Sequence, residues 1–142
     1  MRVYVDSSAL IKRSVEEEES DALEAALERL LAEDAVLLSS SLAWIEVSRA
    51  LRTRIESGVW SDDDINEAVD GALSGVAERL VTGDVVGLAR RVAPPHLRTL
   101  DAIHLATAIL LDVDVVVAYD ARLVEACRHN GLVTTMPGRP AG

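Results

Sequence analysis

Apolar residues recur along the chain with two alternating periods, and the alternation predicts strands and helices in turn. Arg2–Val5 is a short β-rich run that stops at Asp6. Asp21–Glu33 carries Leu23, Ala26, Leu27, Leu30 and Leu31 at helical spacing, with acids and Arg29 between them. Val36–Ser39 reads as a second strand. Ser41–Ser57 reads as a helix with Trp44, Val47, Leu51 and Ile55 on one stripe, ended by Gly58. Ser61 and three aspartates, Asp62 to Asp64, open a helix that runs to about Leu73, since acids favour the positive end of a helix dipole. Arg79–Val81 is a candidate third strand and Asp84–Val92 a short helix, and Pro94 and Pro95 break the chain. Leu97–Leu111 is the most apolar helix. Val113–Ala118 is nearly unbroken valine, the mark of a strand covered on both faces. Arg122–Asn130 is helical with Gly131 as its stop, Leu132–Thr135 is a last strand, and residues 136–142 form a Pro/Gly tail expected to be flexible.

Strands alternating with helices imply an α/β fold with a parallel sheet covered on both sides. The 142 residues suit one domain, 1–142, with room for a full core. Hydrophobic residues make up 49% of the chain, which argues against disorder, and the absence of phenylalanine means aliphatic helices on aliphatic strands. One cysteine, Cys127, excludes an intramolecular disulfide and a cysteine metal cluster and is expected to be a core residue. The start of the chain fits no signal peptide and no apolar run reaches spanning length, so the expectation is a cytoplasmic protein without a membrane segment.

The net charge of −10 is wrong for a protein that holds nucleic acid by blanket electrostatics. Either the substrate is something else, or divalent cations and a local basic patch reverse the field where it matters.

In open α/β sheets, ligands sit beyond the carboxyl ends of the strands, and two acids fall there: Asp6 and Asp120. Each can equally cap the helix that follows. Asp101 lies in the first turn of the most apolar helix, where Thr99 is available as the cap and leaves the acid spare. Glu46 sits mid-helix among apolar neighbours, with Leu42 and Ala50 one turn either way. It is either a surface glutamate or a carboxylate that needs a partner, because an unpaired buried charge is very costly. Four acids brought together demand a cation, and all-oxygen ligands suit Mg²⁺ or Mn²⁺ rather than Zn²⁺. His104, on the same face as Asp101, fits a supporting or core role better than a place in an all-oxygen set. Metal held this way serves water attack on phosphodiesters.

At these positions the sequence resembles PIN domains, and among them the VapC-type toxins of toxin–antitoxin pairs. The matching stretches are Val3 to Leu10 around Asp6, Trp44 to Val47, Leu100 to Ala108, and Tyr119 to Leu123. The resemblance implies a three-layer α/β/α fold around a parallel sheet. It also implies a Mg²⁺- or Mn²⁺-dependent endoribonuclease acting on RNA, a cognate antitoxin protein as partner, and commonly a homodimer. Carried over by position, Asp6, Glu46, Asp101 and Asp120 are the catalytic, metal-holding acids. Ser8 falls where the family has Thr or Ser, as a hydrogen-bonder to Asp6 or a plain helix cap. Some relatives carry a further acid at the position of Val124, so one or two metal ions remain open, and Tyr119 stands where a smaller residue or Thr is common.

Lys12 and Arg13, about two helical turns past Asp6, are candidate RNA contacts, the alternative being a solvated basic face beside the acidic run Glu16–Glu19. Aliphatic residues of the Asp62–Leu73 helix are candidates for a dimer surface. The rival from another class is a non-catalytic PIN-fold module that grips a partner protein. A phosphotransfer receiver fails for want of a late lysine, since Lys12 is the only one, and an Asp-x-Asp phosphatase fails because the second acid's place is Ser8.

Overall fold

The computed structural model describes residues 1–53 and 60–140. Five strands and seven helices alternate: β1 Arg2–Val5, α1 Ser7–Lys12, α2 Ser20–Ala32, β2 Val36–Ser40, α3 Ser41–Arg52, α4 Asp62–Leu73, β3 Val76–Arg79, α5 Gly83–Ala89, α6 Thr99–Leu110, β4 Val115–Val117, α7 Ala121–His129 and β5 Thr134–Thr135. The strands form one parallel sheet in the order β3-β2-β1-β4-β5. The expected three-layer α/β/α architecture is present.

Strand periodicity divides the core. Val3, Val5, Leu37 and Val117 point to one face, where they pack with Ala9, Leu10, Leu23, Leu27, Val47, Leu51 and Ile65 of α1 to α4. Tyr4, Leu38 and Val116 point to the other, against Leu105 and Ala108 of α6 and Leu123, Ala126 and Cys127 of α7. Cys127 is fully buried, and burial pushes its thiol up to about 12, as befits a small core hydrophobe. The helix-to-strand turns after α2 and α6 each hold an aspartate at positive φ, Asp34 at 61° and Asp112 at 51°, a conformation that aspartate tolerates better than most residues. At α4 the expected acidic start is a reciprocal cap: Ser61 Oγ accepts from Asp64 N and Asp64 Oδ2 from Ser61 N.

This order places the functional end. The chain winds outward from β1 to β2 and β3, then returns to β4 on the opposite side of β1. From their adjacent carboxyl ends, β1 feeds α1 on one face and β4 feeds α7 on the other, so a crevice opens between them.

Several expectations need correction. The third strand is Val76–Arg79, paired with β2 from Leu37↔Val76 to Ser40↔Arg79; Leu80 and Val81 lie beyond the pairing, exposed. The aliphatic residues of α4 do not offer a dimer surface, since Ile65 and Ala72 are buried and Ala68, Val69 and Leu73 pack on the core. The tail is not loose at its start. Met136 packs on both core clusters, Tyr119 donates its hydroxyl to Pro137 O at 2.7 Å, and Arg139 Nε donates to Glu19 Oε1 at 2.7 Å. The expected extension of α3 through Ile55 to Ser57, and its stop at Gly58, fall outside the described residues.

Candidate active site

A cleft of about 540 Å³ opens at that crevice, and Asp6, Glu46, Asp101 and Asp120 all line it, together with Ser7, Ser8 and His104. Each acid arrives from a different element. Asp6, 3% exposed, caps α1: its Oδ1 accepts from Ser8 Oγ at 2.7 Å and from Ala9 N at 3.2 Å. Asp120 caps α7, its Oδ1 accepting from Arg122 N at 2.9 Å and Leu123 N at 3.2 Å. Capping and lining the cleft are thus compatible, because the cap bonds of each acid go to its Oδ1. Ser8 Oγ also accepts from Tyr119 N at 2.8 Å, so one hydroxyl ties the end of β4 to the carboxylate at the end of β1.

Glu46 is set by the two faces of α3. Ala43, Val47 and Leu51 bury one stripe in the core, and the adjacent stripe of Leu42, Ile45, Glu46, Arg49 and Ala50 borders the cleft. Glu46 Oε1 accepts from Ser7 Oγ at 2.6 Å and lies 2.6 Å from His104 Nε2. His104 Nδ1 is 2.6 Å from the Tyr4 hydroxyl. A neutral ring accepting from Tyr4 at Nδ1 presents its N–H to Glu46. Asp101 has no hydrogen bond from any described residue. Thr99 does not cap α6 as expected; the cap position is Arg98, without a side-chain bond.

The electrostatics divide the acids. Burial raises Asp6 to about 6, against the opposing pull of His104 and its hydrogen bonds from Ser8 and Ala9. Asp101 is raised by burial and then by the charges of Asp120 and Glu46, with His104 and Arg98 opposing. Burial works to raise Glu46 too, but its bonds from His104 and Ser7 outweigh that and hold it below the ordinary value.

Among the described residues no three acids, imidazoles or thiols stand close enough to form a metal cage. The acids ring the cleft instead. That suits Mg²⁺ better than Zn²⁺ or Ca²⁺, because Mg²⁺ keeps several waters and is held by one or two carboxylates plus substrate phosphate. The all-oxygen set, with Asp6 and Asp101 both raised by burial, fits such a cation.

Lys12 and Arg13 are a correction. Neither lines the cleft. Lys12 is buried, paired with Glu17 and Glu19 and seated 4.8 Å from the Tyr119 ring centre. Arg13 pairs with Glu24 and donates to Ala72 O and Ser74 O. Both cations stabilise the packing of α1 and are not available to RNA. Ser7 was missed by sequence reasoning, because its partner Glu46 lies 39 residues away and no local pattern links them.

A PIN-domain family model matches residues 3–129. Ribonuclease VapC46 of Mycobacterium tuberculosis is 40% identical over 137 residues, covering 95% of this chain and 97% of that protein. Ribonuclease VapC47 of the same species is 34% identical over 138 residues, covering 96% and 97%. Among solved structures, VapBC2 of Rickettsia felis bound to a DNA fragment from its promoter aligns with a TM-score of 0.73 at 13% identity, over 95% of this chain and 98% of that one. VapC20 of Mycobacterium tuberculosis, a sarcin–ricin loop cleaving toxin, aligns at 0.68 and 19% identity, over 95% and 99%. At those identities the structures speak for the fold alone.

Proposed function

The chain belongs to the PIN-domain family, with VapC ribonucleases among its relatives, and from that premise we propose that it is a Mg²⁺- or Mn²⁺-dependent endoribonuclease, the toxin of a toxin–antitoxin pair. Its substrate is RNA, its partner a cognate antitoxin protein, its assembly a homodimer and its compartment the cytoplasm. No helix among the described residues is long and apolar enough to cross a membrane.

The observation that carries this reading is the convergence of four sequence-distant acids on one cleft, where burial raises Asp6, and burial with the charges of Asp120 and Glu46 raises Asp101. Asp6, Glu46, Asp101 and Asp120 are the acids that would hold the cation, directly or through its waters. A bound Mg²⁺ or Mn²⁺ supplies positive charge against phosphate oxygens and makes water a better nucleophile. The chain's own groups position the acids: Ser8 and the Ala9 amide hold one oxygen of Asp6, and Ser7 and His104 hold one oxygen of Glu46, so the other oxygens keep their direction. Exposed Ile45 and Leu100 on the cleft offer apolar contact to ribose and base. With its acids uncompensated the cleft repels phosphate, so the reading demands strict dependence on divalent ions.

The test is hydrolysis of RNA with Mg²⁺ or with chelator, for the parent, Asp6→Asn and Asp101→Asn. Each substitution is expected to lower the rate by about a thousandfold, the scale of a lost electrostatic contribution in an active site. Variants that cut like the parent overturn the four-acid mechanism. A parent that cuts nothing yet still binds a protein partner after these substitutions is the non-catalytic module instead.

A further inference from the structure

A second hollow lies at the starts of α6 and α7, elements that also line the acidic cleft. It is a groove of about 470 Å³ between the turn at Pro94–Leu97, the start of α6 and one face of α7. On α7, Arg122, Glu125, Ala126 and His129 stand at i, i+3, i+4 and i+7 and so share that face. His96 and Arg98 line the groove from the turn. The linings of the two hollows come close in sequence: Arg98 of the groove precedes Asp101 of the cleft by three residues, and Arg122 follows Asp120 by two.

Two guanidiniums, Arg98 and Arg122, line the groove. Several cations elsewhere are engaged: Lys12 with Glu17 and Glu19, Arg13 with Glu24, Arg139 with Glu19, Arg2 with Leu111 O. The side chains of His96, Arg98, Arg122 and His129 hold no hydrogen bond or ion pair with any described residue. Glu125 is the one acid among the described lining residues. In a chain of net charge −10, two arginines against one glutamate are a local reversal of sign near a site that must receive phosphate.

The groove is also built in advance. Asn130 Nδ2 donates to Ala93 O at 2.9 Å and Ala126 O at 2.8 Å, which pins the proline turn to α7. Leu97 N donates to Pro94 O at 3.1 Å, and the Leu97 side chain packs on the second core cluster. A ligand entering it orders only side chains, which lowers the entropy lost on binding.

We propose that this groove seats the RNA backbone next to the phosphodiester being cut, with the Arg98 and Arg122 guanidiniums each taking a phosphate. The proposal rests on the ribonuclease reading. The volume is that of a pocket for one small ligand, so it takes a single strand and not a duplex. A carboxylate-rich peptide would meet the same guanidiniums; the placing of Arg98 and Arg122 within three residues of the cleft acids Asp101 and Asp120 favours RNA, whose next phosphate the strand itself would deliver to those acids.

The test is binding of a labelled single-stranded RNA of about twelve nucleotides, in Mg²⁺ and at several salt concentrations, to protein carrying Asp6→Asn so that the strand stays whole. Arg98→Ala and Arg122→Ala are each expected to weaken binding about tenfold and to lower the salt slope by about 0.7. Arg29→Ala on α2, remote from the groove, is expected to change neither. A double variant with unaltered affinity and slope, in a protein whose parent cuts RNA, overturns the groove and leaves the ribonuclease reading intact. A parent that neither binds nor cuts RNA overturns both. Equal binding of a duplex of the same sequence overturns the single-strand assignment. Tight binding of heptaglutamate, lost in the same variants, gives the groove to an acidic polypeptide and overturns the RNA assignment.

Discussion

Glu46 and His104, 58 residues apart in sequence, meet at 2.6 Å, and the histidine is itself held at 2.6 Å by the Tyr4 hydroxyl in the second core. The chain from Tyr4 through His104 to Glu46 runs from a fully buried strand position to the open cleft. The direction of an acid at the site is thus fixed by the packing of the sheet.

His104→Ala is expected to act twice. It removes one partner of the buried Tyr4 hydroxyl and leaves a cavity, a loss of about 2–4 kcal/mol in denaturant unfolding. It also frees Glu46, so the Mg²⁺ concentration for half-maximal RNA hydrolysis rises by about 10- to 100-fold. A variant whose Mg²⁺ requirement stays at the parent's value shows that His104 serves packing alone.

How much of this was legible depended on how local the signal was. The valine run of β4 and the acids after β1 and β4 carry their meaning within a few residues, so the sheet and the positions of Asp6 and Asp120 followed from pattern. Glu46 did not, because its partners Ser7 and His104 are distant and a mid-helix acid looks the same whether solvated or held. Lys12 and Arg13 misled for the same reason: a sequence displays charge but not its neutralisation. Within the acidic run beside them, Glu19 is buried while Glu16 to Glu18 are exposed. The Pro/Gly composition of the last residues likewise hid the docking of Pro137 and Arg139.

Asp6 gives the pH dependence of the metal-free protein. Its ordinary value of 3.8 rises to about 6 on folding because burial penalises the charge. The folded state therefore holds the proton more tightly than the unfolded chain. The associated stability is fully present below pH 4 and is lost as pH rises through about 6. Asp6→Asn keeps the shape and the acceptor oxygen without the charge. In chelator it is expected to exceed the parent in stability by at most about 3 kcal/mol at pH 7, with no difference near pH 3.5. Mg²⁺ added at pH 7 stabilises the parent and not the variant. Thermal unfolding across pH, with and without Mg²⁺, checks this; parallel curves for the two proteins would refute it.

The end of the chain is tied to the site by opposite charges. Glu19 accepts from Arg139 at 2.7 Å and Lys12 at 3.1 Å, and the Tyr119 ring lies 4.8 Å from the Lys12 nitrogen and 5.2 Å from the Arg139 guanidinium. Tyr119 in turn donates its amide to the Ser8 hydroxyl that holds Asp6. Arg139 first and then Lys12 hold the Glu19 carboxyl down at about 2, against an ordinary value of 4.5. A depressed acid contributes stability that is present above its unfolded value and lost as pH falls, here between about 4.5 and about 2. Glu19→Gln is thus expected to be less stable than the parent at neutral pH and to converge with it as pH approaches 2. Arg139→Ala, which leaves Lys12 in place, gives a smaller loss over the same window. Because Tyr119 reaches Asp6 only through Ser8, RNA hydrolysis in saturating Mg²⁺ is expected to fall only a few-fold in either variant, the size of one weakened hydrogen bond. Acid unfolding of Glu19→Gln that tracks the parent from pH 7 to pH 2 would mean that this ion cluster adds nothing to the fold.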